Sequence, residues 1–129
     1  MDAGDFFAYA SSCLGVSEAG NRTAASRAYY TVYHACFEYA YEQLSFEIHT
    51  NSGFHQQLIN CYHRQPERAL RTIGGLLKLS KEIRVQADYN LDAPFKRIEA
   101  EKNMRYCVQI LNELKILKKK DKTVRLFAT

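Results

Sequence analysis

Apolar residues recur at steps of three and four along almost the whole chain, the spacing of one helical face. A first helix is predicted over about Asp5 to Leu14, followed by a turn from Val16 to Gly20. In the second helix the stripe Ala25, Ala28, Val32, Cys36 and Tyr39 runs to about Leu44, and Ser17 or Asn21 is placed to cap it. Ser45 to Asn51 read as a connection, and a third helix follows from about Ser52 to Arg64 with Ser52 as its cap. Pro66 suits the first turn of a fourth helix, where a missing N–H costs nothing, and Ala69, Ile73, Leu76, Leu77, Ile83 and Ala87 mark its buried face. Gly74-Gly75 interrupts that face; each Gly costs about 1 kcal/mol against Ala in a helix, so the pair marks a kink or a close approach of another backbone. Tyr89-Asn90 to Asp92-Ala93-Pro94 form the next break, with Asp92 as cap. The last helix is expected from Ala93 or Pro94 to about Lys119, its seam Ala100, Met104, Cys107, Leu111 and Leu114 shaped for a bundle or a dimer. The expected fold is all-α, a bundle of four to five helices in one domain spanning 1–129. Residues 119–129 form a basic, then apolar, tail in which Val124, Leu126 and Phe127 predict that Thr123 to Thr129 dock on their own domain or on a partner.

Composition narrows the class further. A chain of 129 residues and 14.9 kDa has room for one ordinary core, and 47% apolar content with 6 Gly and 2 Pro disfavours disorder, collagen-like repeats and turn-rich β architecture. No apolar stretch approaches the roughly 18 residues that span a bilayer, and Met1-Asp2-Ala3-Gly4-Asp5 is acidic where a signal peptide is basic, so a cytoplasmic protein with no membrane partner is expected. Cys13, Cys36, Cys61 and Cys107 lie far apart with no Cys-x-x-Cys and read as buried hydrophobes. His34, His49, His55 and His63 cluster loosely with Cys61 but lack zinc-site spacing; no metal and no cofactor are expected.

Charge is divided along the chain. Residues 1–64 carry three Arg against six carboxylates, a net of −3, and residues 65–129 carry fifteen Lys/Arg against eight, a net of +7. A basic second half attracts phosphate. Lys115, Lys118, Lys119, Lys120 and Lys122 gather at the predicted end of the last helix, where they also complement the macrodipole. At 100° per residue, Arg27, Tyr30, His34, Glu38 and Tyr41 fall within one sector of the second helix, opposite its apolar stripe. Arg and Tyr in register there point to a cleft or an interface. Arg84 and Asp88 stand four apart on the fourth helix, followed by Tyr89; they suit an ion pair, and an Arg at the core edge can also hold a phosphate bidentately.

Ser26-Arg27-Ala28-Tyr29-Tyr30, then Tyr33-His34-Ala35, Ser52-Gly53 and Arg84-x-x-Ala87-Asp88-Tyr89 resemble the HEPN superfamily, in particular its small stand-alone prokaryotic members, over roughly Asn21 to Leu114. The resemblance implies an antiparallel helical bundle of HEPN type, a homodimer, and a role in toxin–antitoxin, defence or RNA-processing systems. It implies RNA as the target and a metal-independent endoribonuclease leaving 2′,3′-cyclic phosphate ends. His34 would then move protons while Arg27 and Arg84 hold the phosphate, with Tyr30, Asp88, Tyr89, Lys118, Lys119 and Lys120 as binding residues. An Arg fork and an imidazole suit those tasks. Tyr89 stands where the enzymes carry His, and a phenol is a weak base at neutral pH. The alternative is therefore a module without cleavage activity that binds RNA, a nucleotide or a partner protein. Two-gene HEPN systems further imply a nucleotidyltransferase-type antitoxin partner that modifies a Tyr such as Tyr89.

Overall fold

One helix touches all the others, and the site is built around it. The computed structural model describes residues 3–49 and 53–128, which form α1 (Ala3–Cys13), α2 (Glu18–Gln43), α3 (Phe54–His63), α4 (Arg68–Tyr89) and α5 (Arg97–Ala128), with no strand among the described residues. At 1.5 Å per residue the 26 residues of α2 span about 39 Å. Its buried residues combine small side chains, Ala24, Ala25, Ala28, Val32 and Cys36, with the large rings of Tyr29 and Tyr39, which fill the space between it and its neighbours. Side-chain pairing fixes the directions. Tyr30 meets Arg84 and Ser26 meets Asp88, so α4 runs antiparallel to α2; Asn103 meets Ala25 and Asp121 meets Tyr39, so α5 runs parallel to it. The all-α bundle expected from the periodicity is the observed fold.

Of the two proposed caps of α2, Ser17 is the one used; Asn21 lies inside the helix and holds the turn that precedes it. The Ser17 hydroxyl accepts from the Gly20 N–H at 2.9 Å, whereas Asn21 Oδ1 accepts from the Gly15 N–H at 2.8 Å. Gly15 has φ +80°, a conformation that a side chain would strain, and so closes α1. At Gly74 the helix continues unbroken: a Cβ there would sit 2.7 Å from His63 Cδ2 and 3.0 Å from Tyr62 Cβ, so the glycine admits the end of α3 against α4.

Several predicted boundaries are corrected. Pro66 precedes α4, which starts at Arg68 with extended Glu67 as its cap residue, because the Arg71 guanidinium holds the Gln65 and Pro66 carbonyls in a turn. Asp92 caps nothing, and α5 begins only at Arg97. Phe95 is buried, its N–H donates to Glu18 Oε1 at 2.8 Å, and the Arg22 guanidinium lies over its ring; these contacts keep residues 90–96 out of the helix. Arg22 also donates to the carbonyls of Gln86, Ala87, Asn90 and Ala93, which closes the α4–α5 loop onto α2. Ser52, proposed to cap α3, lies outside the described residues, as does Thr129; Gly53 is the observed cap residue. On the buried faces Leu70 replaces Ala69 and Ile110 replaces Leu111, which are half-buried.

The predicted C-terminal tail is instead the continuation of α5, which runs to Ala128 because nothing after Lys119 stops a helix. Tyr39 donates to Asp121 Oδ2 at 2.7 Å and pins its last third to α2. Val124 and Leu126 are 59% and 71% exposed on this stretch of α5. The Lys118–Lys120 cluster accordingly lies within the helix and does not cap its end. Among the described residues, no helix is long and apolar enough to cross a membrane.

Candidate functional site

The residues singled out on α2 and α4 converge. Arg84 is 8% exposed, and its Nε donates to Asp88 Oδ2 at 2.9 Å across one helical turn. The same carboxylate oxygen accepts from the Ser26 hydroxyl at 3.1 Å, which joins α4 to α2. Arg84 Nη2 donates to the Tyr30 hydroxyl and, at 3.4 Å, to that of Tyr89. Its guanidinium also lies 4.9 Å from the Tyr30 ring centroid, 5.3 Å from that of Tyr89 and 5.8 Å from that of Tyr29. An arginine in three aromatic faces, with its charge balanced by one carboxylate, is a strongly constrained group. Tyr89 is 69% exposed and brings the cluster to the surface.

A second layer couples α3 to the same point. The Tyr29 hydroxyl and His55 Nδ1 are 2.6 Å apart, and the His55 ring lies 4.4 Å from that of Tyr33. Burial holds the His55 imidazole below its usual range, helped by the positive charges of Arg84 and Lys81, and burial pushes the Tyr29 phenol up. The neutral pair is thus favoured, with Tyr29 donating to Nδ1. His55, Tyr29 and Ser26 were not picked out as site residues from the sequence. Only the Ser26-to-Tyr30 run hinted at the last two; for His55 no signal existed, because its role depends on where α3 docks.

Arg27, Tyr30 and His34 occupy one face of α2 as the helical wheel requires, and together with Thr31 and Phe6 of α1 they line a cavity of about 250 Å³. Arg27 and His34 are exposed. Among the described residues the Arg27 guanidinium has no ion-pair or hydrogen-bond partner, whereas that of Arg84 is committed to Asp88. His34 touches the cluster through ring contacts with Tyr30, at 6.4 Å, and Tyr33, at 5.4 Å. Tyr30 is the shared member, facing the cavity and bonded to Arg84.

Lys118, Lys119 and Lys120 are exposed but do not join this group. Lys118 lies with Lys115, Leu111 and Leu114 beside Ala35, in a shallow groove on the α5 side of α2. A larger polar cavity of about 490 Å³, bordered by Glu47, His49, Gln57, Asn60 and Arg64, lies where α3 meets the α2–α3 connection and contains none of the predicted residues. Among the described residues no group of three or more His, Cys, Asp or Glu side chains is arranged to hold a metal ion. No protein-family model, curated protein or solved structure matches this chain.

Proposed function

We propose that this chain is a HEPN-type helical module that binds RNA, with Arg27, Tyr30 and His34 as its contact face. The observation that carries this reading is the cavity between α1 and α2, where an unpaired guanidinium meets two ring systems open to solvent. A free guanidinium is a phosphate ligand, and aromatic faces take bases. Arg84 acts behind the surface: with its charge balanced by Asp88, it holds the Tyr30 hydroxyl in place. The net charge of +7 over residues 65–129, Lys118, Lys119 and Lys120 included, supplies long-range attraction. The module would work as a homodimer in a toxin–antitoxin or defence system, beside a nucleotidyltransferase-type partner able to modify Tyr89.

The test is titration of a labelled RNA with wild type and Arg27→Ala over a range of salt. Binding that weakens with salt, with a shallower slope and lower affinity for Arg27→Ala, supports the reading. Absence of binding, or equal binding by the variant, overturns it.

A second reading, metal-independent cleavage with His34 as proton carrier and Arg27 and Arg84 on the phosphate, is favoured by one observation: His34 and Arg27 line the same cavity. Incubation of wild type and His34→Ala with RNA in EDTA separates the two. Cyclic phosphate ends from wild type alone would establish cleavage; intact RNA in both leaves the binding module.

A further inference from the structure

We infer that the α1–α2 cavity accepts a single unstacked nucleobase, so that the module selects single-stranded over duplex RNA. The inference rests on the RNA-binding reading above and specifies what that site takes. Pockets for drug-sized ligands run to about 300–1,000 Å³, and this one, at about 250 Å³, suits one planar fragment with its attached phosphate outside. Its walls match such a fragment. Phe6 from α1, 40% exposed, faces Tyr30 and His34 of α2 across the opening. The Tyr30 and His34 rings are 6.4 Å apart and tilted by 33°, too far and too inclined to be stacked face to face on each other. Tyr30 carries the Arg84 guanidinium 4.9 Å from its centroid.

The polar groups at the cavity are also specified. The Tyr30 hydroxyl is held by Arg84 of α4, which does not line the cavity, so this contact fixes the Tyr30 ring as part of the cavity wall. Thr31 is 3% exposed and its hydroxyl donates to the Arg27 carbonyl at 2.9 Å, so it closes the inner wall with its polar group already satisfied. Arg27 stands at the exposed edge, where the phosphate of an inserted nucleotide would lie. A base within a duplex is stacked and paired and cannot enter, whereas a single strand offers its faces freely.

The experiment compares four labelled ligands of matched length: a single-stranded RNA, its duplex, the same strand with abasic positions, and free nucleoside monophosphate. Each is titrated by anisotropy, or by competition for the monophosphate, against wild type, Phe6→Leu, Phe6→Ala and Arg27→Ala. Stacking on an aromatic side chain predicts a loss of about 5- to 150-fold for the single strand with Phe6→Ala. Phe6→Leu, which keeps α1 packed but removes the ring, should lose within the same range. The abasic strand and the duplex should bind wild type as weakly as the intact strand binds Phe6→Ala, and the monophosphate should compete. Equal binding of intact, abasic and duplex RNA, all weakened by Arg27→Ala, overturns the base pocket and leaves the RNA-binding reading standing. No binding of any RNA by wild type overturns both.

Discussion

Asp88→Asn tests whether the Ser26–Asp88–Arg84–Tyr30 cluster fastens α4 to α2. The substitution keeps the shape of the side chain but removes the charge that balances Arg84. Arg84 is almost wholly enclosed, with 9% of its side chain exposed, while Asp88 retains 27%. Breaking a fully buried pair costs about 3–5 kcal/mol, and a single hydrogen bond to a charged group contributes about 1.5–3 kcal/mol. Partial access of water to Asp88 screens the loss, so the lower range applies and a cost of about 2 kcal/mol is expected. For a domain of this size that corresponds to a fall in Tm of roughly 8 °C. Urea unfolding followed by circular dichroism measures it. Ser26→Ala removes the second donor to the same oxygen and should cost about 1 kcal/mol. Because both act on Asp88 Oδ2, the double variant should be non-additive by more than about 0.5 kcal/mol. Arg84→Met with Asp88→Leu, which replaces the pair by apolar groups, should recover most of the stability. A cost below about 0.5 kcal/mol for Asp88→Asn, or strict additivity with Ser26→Ala, would refute the fastening argument.

Three further outcomes follow from other parts of the molecule. Gly74→Ala forces a methyl to within 2.7 Å of His63 and should destabilise by about 1–3 kcal/mol, while Gly75→Ala, with nothing within 4 Å, should stabilise by about 0.5–1 kcal/mol; unfolding curves of the two should shift in opposite directions. His55 has a pKa lowered from 6.5 by burial and by the charges of Arg84, Lys81 and His34, so the unfolded chain binds more protons just below that pH. Stability should be full above pH 6.5 and fall as pH drops through the lowered pKa, and His55→Gln should remove that slope; an unchanged slope in the variant would reassign it. In native protein a thiol reagent should label half-exposed Cys13 first, because Cys36 and Cys107 are buried and burial pushes the Cys107 thiol up to about 12; simultaneous labelling of all of them before unfolding would contradict the core.

Legibility from the sequence divides along the range of the interactions. The faces of α2 and α4 follow a period that local geometry imposes, so the Arg27–Tyr30–His34 sector and the Arg84–Asp88 spacing were visible at once. Boundaries set by distant partners were not. Asp92 has a good capping side chain, but the burial of Phe95 and the reach of Arg22 from α2 outweigh it. At the other end α5 runs on through Thr123, whose hydroxyl returns to the Lys119 carbonyl at 3.0 Å, and the apolar residues that suggested a docking tail lie along that helix. The site shows the same division. Arg84 and Asp88 are four residues apart, but Ser26 reaches Asp88 across 62 positions and Tyr29 reaches His55 across 26. Each of those contacts exists only once α2, α3 and α4 are packed. The Arg84–Asp88 pair is legible from its spacing, but the enclosure of Arg84 by Tyr29 and Tyr30, which leaves it almost no exposed surface, is tertiary.

The loop after α4 is held in an unusual way: Arg22 grips four backbone carbonyls and, through Glu18 and Phe95, the start of the next segment. Recognition of main-chain atoms dictates a path and is indifferent to most side chains along it. Leu91, Asp92 and Pro94, all exposed, are therefore positions at which descendants of this chain can diverge without disturbing the bundle. They border Tyr89, the surface end of the arginine cluster. The molecule thus keeps next to its most constrained group a short stretch on which new specificities can be tried at little risk to folding.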